Sequence, residues 1–230
     1  MGRLGATILF FFIAFSYSKA EWIEITPLRQ PKDNSTLADV ESHTKDFYMI
    51  AGRRIVYKNP SDLTNSCHEQ IHKVNSDIRT QNKVDCGFYF LKNNALIIKE
   101  HPKITLSNVA AAVPKENRGS VYPLYLVKQA KYWNNQPLYV FDECVAYLHG
   151  TATALETSNE IRAKTSFDHC IQLYYYGKIC QKIAVKANYE YENDLKVLVG
   201  VLYIRIRSLA DHMEKLGFLN DDHRKWLELL

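Results

Sequence analysis

The chain contains no C-x-x-C pair in its 230 residues, which excludes a thiolate zinc ribbon and a thioredoxin-type redox motif. Clusters of lysine and arginine are missing as well. Basic pairs such as Arg53-Arg54 stand alone and no RNA-binding signature occurs, so nucleic acid is not an expected partner. Past residue 20 no stretch approaches the roughly 18 uninterrupted apolar residues of a membrane span, which predicts no span in the mature chain. There is no internal repeat and no low-complexity segment.

What the chain does contain starts with Met1-Gly2-Arg3, an apolar run over residues 8–15, and Ser18-Lys19-Ala20, with small residues flanking Lys19 ahead of a cut. These are the parts of a secretory signal peptide over residues 1–20, and they predict a secreted or periplasmic protein beginning near Glu21. The formal charge of +4 falls to +2 without Arg3 and Lys19, so the mature chain is close to neutral. Residues 21–230 suffice for a single compact domain. All five cysteines, Cys67, Cys86, Cys144, Cys170 and Cys180, lie beyond the signal, where an oxidising compartment permits disulfides; the odd number leaves at least one unpaired. Asn34-Ser35-Thr36 is a glycosylation sequon in a eukaryotic host.

The pattern along the chain predicts an α+β fold, predominantly helical. A short polar helix opens at Ser35-Thr36, and residues 47–57, broken by Gly52, read as a strand or hairpin. A helix over 63–79 precedes a β-hairpin formed by 86–91 and 95–99 around Lys92-Asn93-Asn94. Helices are expected over 107–113, 124–133 and 138–156, the last after Pro137. Residues 157–230 form a helical C-terminal portion, with long helices over 160–187 and 193–216, Asn193 as N-cap, Gly217 as terminator, and a short helix in the tail.

One stretch organises the chemistry. Ser66-Cys67-His68-Glu69-Gln70-Ile71-His72 contains H-E-x-x-H, in which His68 and His72 lie one above the other on a helix face and can direct two imidazole nitrogens at one ion. Glu69 sits one step round, within reach of a water at that ion. A plainer reading makes Ser66 an N-cap and Glu69 its capping-box partner. The helix phase argues against it: the apolar stripe Leu63, Cys67, Ile71, Val74, Ile78 starts ahead of Ser66, which moves the N-cap to Ser61 or Asp62. The stripe His68, His72, Asn75, Arg79 runs beside that core stripe, at the wall of a cleft.

Catalytic zinc takes a third protein ligand and an open position. Glu143 is the leading candidate: it heads a stripe with Ala146, Tyr147, Gly150 and Ala154, whose small members let two helices approach closely. Asp142 and Glu143 also read as first-turn acids favoured by the helix dipole. His149, His101, Asp77 and Glu156 are the other candidates, Asp77 only if the motif helix has ended before it. Asp142 or Asn75 is positioned to orient a ligand imidazole. Cys67 and Cys144 would face each other across the two helices if both converge on one ion, or are simply small buried residues.

His68-Glu69-Gln70-Ile71-His72 followed by Glu143 on a later helix resembles the gluzincin metallopeptidases. The resemblance covers these two helices, and Phe141-Asp142-Glu143-Cys144 departs from the family's N-E-x-x-S-D motif. A metzincin extension is absent, since Asn75 and Ile78 stand where its Gly and His belong. The resemblance implies a zincin-like core, Zn²⁺ held by His68, His72 and Glu143, Glu69 as general base, and a peptide or protein substrate. Tyr147, one turn beyond Glu143, is a candidate donor to a developing oxyanion. Two other readings stand beside it: a secreted helical binding protein with a structural metal site, its partner surface on Tyr174-Tyr175-Tyr176 and the 193–216 helix, and a zinc amidase acting on a non-protein amide.

Overall fold

The structure, a computed structural model, describes residues 21–44, 49–50, 53–54 and 60–230, and side chains at 21–44 and 63–230. The predicted signal peptide and most of the 47–57 hairpin lie outside the described residues, and the motif helix already includes Ser61 and Asp62, so neither is its N-cap. Within that hairpin, β2 (Met49–Ile50) and β3 (Arg53–Arg54) pair antiparallel.

The chain enters as β1 (Glu21–Glu24) and turns into α1 (Thr36–Ser42). Ser35 caps α1 by accepting from the Ala38 N–H, and Glu156 accepts from both the N–H and the hydroxyl of Thr36. The motif helix α2 (Pro60–Asn82) runs unbroken past Asp77. Its apolar stripe, Cys67, Ile71, Val74 and Ile78, is almost completely buried, each larger aliphatic side chain contributing about 1.5–3 kcal/mol relative to exposure. Then β4 (Cys86–Tyr89) and β5 (Asn94–Ile98) form the expected hairpin, with Phe88 opposite Leu96. Leu91, Lys92 and Asn93 turn it with positive φ (61°, 52° and 64°). β5 is the centre of a three-stranded antiparallel sheet ordered β1-β5-β4. The pairing of β1 with β5 is not visible in the sequence, where the opening reads only as extended.

Thr105 caps α3 (Leu106–Ala112) through a capping box with Asn108. The helix expected over 124–133 arrives in two pieces. Pro123–Lys128 is a π-helical segment, in which the Gln129 N–H reaches the Leu124 carbonyl, and α4 (Ala130–Trp133) follows. Next come α5 (Tyr139–Glu156), α6 (Glu160–Lys186), α7 (Glu192–Lys215) and α8 (Asp221–Glu228). Helix α7 starts two residues earlier than expected, with Tyr191 rather than Asn193 at the cap, and Gly217 ends it with φ +71°. Tyr174 and Tyr176, and the α7 stripe from Leu195 to Met213, are buried in the core rather than displayed.

Helix α5 is sandwiched between α2 and α6. On one side the Phe141 ring fills the place of a side chain at Gly177, where an added Cβ would meet Cε1 at 2.3 Å. On the other, a Cβ at Gly150 would rest 3.8 Å from the His68 Cβ. The small stripe on α5 therefore does what close approach to α2 requires. No helix among the described residues is long and apolar enough to cross a membrane.

Candidate metal centre

Helices α2 and α5 bring three ligand atoms together. His68 Nε2 and His72 Nε2 are 3.2 Å apart, and each is 3.6 Å from Glu143 Oε2. A tetrahedral zinc with bonds of about 2.0–2.1 Å holds its ligand atoms roughly 3.3 Å apart, so the triangle has the right size for one ion. Glu143 Oε2 is buried and has no hydrogen-bond partner among the described residues, whereas Oε1 accepts from the Tyr139 hydroxyl. A buried carboxylate oxygen left without a donor is costly. A cation at the centre of the triangle satisfies it, so these residues fit a metal ion.

His72 is oriented by a polar network. Its Nδ1 lies 2.5 Å from Asp142 Oδ2 and donates to it, so Nε2 is the nitrogen turned to the centre. Asn75 Nδ2 and Arg79 Nη1 both donate to Asp142 Oδ1 (2.8 and 3.2 Å), and Asn75 Oδ1 accepts from the Tyr89 N–H (2.8 Å). The stripe His72, Asn75, Arg79 thus converges on one carboxylate of α5. Burial works to raise the Asp142 carboxyl, but His72, Arg79 and Asn75 overcome it and hold it below its usual range. Glu143 is likewise held low against its burial, by the two imidazoles and the Tyr139 hydroxyl.

His68 is held differently. Its ring packs on Tyr147 with centroids 4.3 Å apart, Tyr147 meets His169 edge-on at 4.9 Å, and the Tyr147 hydroxyl bonds the Tyr125 hydroxyl at 2.8 Å. Burial, with His72 beside it, pushes the His68 imidazole down to about 4. It is therefore neutral, the form that binds a metal. In the metal-free protein His72 goes the other way: burial lowers it, but Asp142 and Glu143 raise it well above the usual imidazole value. A metal ion would displace that proton.

The triangle opens into a cavity of about 400 Å³, within the usual range for a small-molecule or side-chain site. Glu69, exposed on α2, lines it together with Tyr125, Trp133 and Tyr139. A second recess shares Arg79, Asp85, His101 and Gln136 with it, so the two form one groove running from the metal position towards Pro102 and Thr105.

The other third-ligand candidates go elsewhere. Asp77 pairs with Lys73, Glu156 caps α1, His149 Nδ1 bonds the Val145 carbonyl at 2.7 Å, and His101 stands against the Cys86 thiol at 3.5 Å. Tyr147 lies behind His68 and is not among the cavity's walls, whereas Tyr125, on the π-helical segment, is. Two residues escaped the sequence reading. Tyr139 stands four residues before Glu143 on the same helix, a spacing that signals contact. Tyr125 carries no such signal, because the π turn that aims it is not written in the local pattern.

The fold and the site define an α+β chain with a histidine, histidine, carboxylate cluster able to hold a metal ion. Comparison with protein-family models, with curated proteins and with solved structures finds no match.

Proposed function

We propose that the chain is a secreted zinc-dependent hydrolase with a single zincin-like domain, and that it cleaves peptide bonds. The observation that supports it is the triangle of His68, His72 and Glu143 at the floor of an open groove, with the Glu69 carboxylate on the same wall. Bound zinc supplies an acidified water and an electrophile that polarises the scissile carbonyl. Asp142 fixes the His72 tautomer, and Tyr139 fixes which Glu143 oxygen faces the ion. Glu69 takes the proton of the attacking water and passes it to the leaving nitrogen. Tyr125, its hydroxyl tied to Tyr147, faces the cavity and donates to the developing oxyanion, the task the sequence alone assigns to Tyr147.

Glu69→Gln is expected to keep the metal and lower hydrolysis of a peptide library about 10²–10⁴-fold. Undiminished cleavage by that variant overturns the mechanism. Zinc binding without cleavage of any peptide by the wild type moves the protein to a non-protein amide or a binding role.

A further inference from the structure

We infer that Cys144 and Cys170 form a disulfide, a covalent brace between the helix that carries Glu143 and α6. Their sulfurs lie 3.9 Å apart, in van der Waals contact, and both residues are completely buried. The arrangement is reciprocal: each thiol sits 3.6 Å from the other residue's backbone carbonyl oxygen. Closing to an S–S bond of about 2.05 Å asks each sulfur to move about 1 Å. Elsewhere along the same helix contact the Phe141 ring lies against the bare Gly177 backbone.

The remaining three cysteines have other neighbours. Cys67 packs beside Thr153, Cys86 stands against His101, and the Cys180 thiol reaches the Pro137 carbonyl at 3.8 Å. The five cysteines therefore sort into one pair and three singles, which accounts for the odd number. The partner that the motif helix suggests for Cys144, namely Cys67, is replaced by a residue of α6.

The oxidant is a disulfide, either of a small thiol such as glutathione or of an oxidoreductase. One cysteine thiolate attacks it, forming a mixed disulfide and releasing the first thiol. The second cysteine thiolate attacks the sulfur of its neighbour and releases the second thiol. Two cysteine protons leave, one S–S bond forms in the protein, and the oxidant's S–S bond is reduced to two thiols. Both thiols are completely buried in the folded chain, so the exchange belongs to the stage before α5 and α6 seal the pair from solvent. Because Cys144 follows Glu143 directly, the brace fixes the backbone that aims the third ligand. It does not depend on the metal being bound or on any hydrolysis.

The test is peptide mapping of the full chain folded in a mixture of reduced and oxidised glutathione, alkylated with iodoacetamide in denaturant and digested without reduction. The expected result is a cross-linked pair of peptides joining Cys144 to Cys170, with Cys67, Cys86 and Cys180 alkylated. Alkylated Cys144 and Cys170, or either one joined to another cysteine, overturns the inference. As a second readout, folding in reductant should lower the thermal midpoint of the wild type by about 5–10 °C. It should leave the Cys144→Ala/Cys170→Ala double variant unchanged. An equal wild-type midpoint with and without reductant also overturns it.

Discussion

The two histidines of the H-E-x-x-H motif are four residues apart on one helix, yet they are held by opposite means. His72 is tied by hydrogen bonds to Asp142, which Asn75 and Arg79 anchor in turn. His68 is held by ring packing against Tyr147, and its buried Nδ1 has no partner among the described residues. The first arrangement sets a tautomer and a direction; the second sets a position and excludes water. Geometry at the metal position therefore depends on polar chemistry on one side and on side-chain volume on the other.

That contrast can be broken from the polar side first. Asp142→Asn keeps the shape but lets the amide present its NH₂ to His72 Nδ1, favouring the wrong tautomer. Zinc affinity, measured by competition with a chelator, is expected to fall about 10–100-fold. A fall of less than twofold would mean that packing, not Asp142, orients His72.

Acid should separate the two kinds of environment. Asp142 is held below its unfolded value, so its contribution is intact above the usual carboxyl pKa and is lost only as pH falls below it. A fully buried imidazole, stacked on Tyr89, behaves otherwise. His149, on α5, is fully buried and held down to about 3, so stability is intact above the ordinary imidazole pKa of about 6.5 and is lost as pH falls from there towards 3. Between pH 6.5 and 4 the metal-free protein is expected to lose on the order of 2 kcal/mol through this group. Urea midpoints measured across that range should flatten in His149→Leu, and an unchanged slope would remove His149 as the cause.

On the packed side the hydroxyl matters less than the ring. Tyr147→Phe keeps the contact with His68 and loses only the bond to Tyr125, so zinc affinity should change less than about threefold. Tyr147→Ala removes the ring and leaves a cavity, costing about 3–5 kcal/mol of stability. Equal effects of the two variants, by chelator competition and thermal melting, would show that the hydroxyl holds His68.

The legible half of the site was the periodic half. The spacing of His68, His72, Asn75 and Arg79 put four residues on one helix face, and the structure turns three of them towards Asp142. The small residues Ala146, Gly150 and Ala154 announced the close approach of α5 to α2. Other features resisted because they depend on contacts distant in sequence or on irregular backbone. The pairing of β1 with β5 needs a partner seventy or more residues away, the π turn at Pro123–Lys128 follows no periodic pattern, and the meeting of Cys144 with Cys170 depends on how α6 folds back along α5. Asp142 read both as a first-turn acid and, with Asn75 as the alternative, as the partner of a ligand imidazole; only its contacts with His72, Asn75 and Arg79 on α2 decide for the second.

The central claim is that His68, His72 and Glu143 hold one ion, and the metal content of the purified protein tests it most directly. After zinc loading and gel filtration, elemental analysis should find close to one zinc per wild-type chain and close to none in a folded Glu143→Ala variant. A wild-type content near zero, or a full complement retained by the variant, would contradict the account.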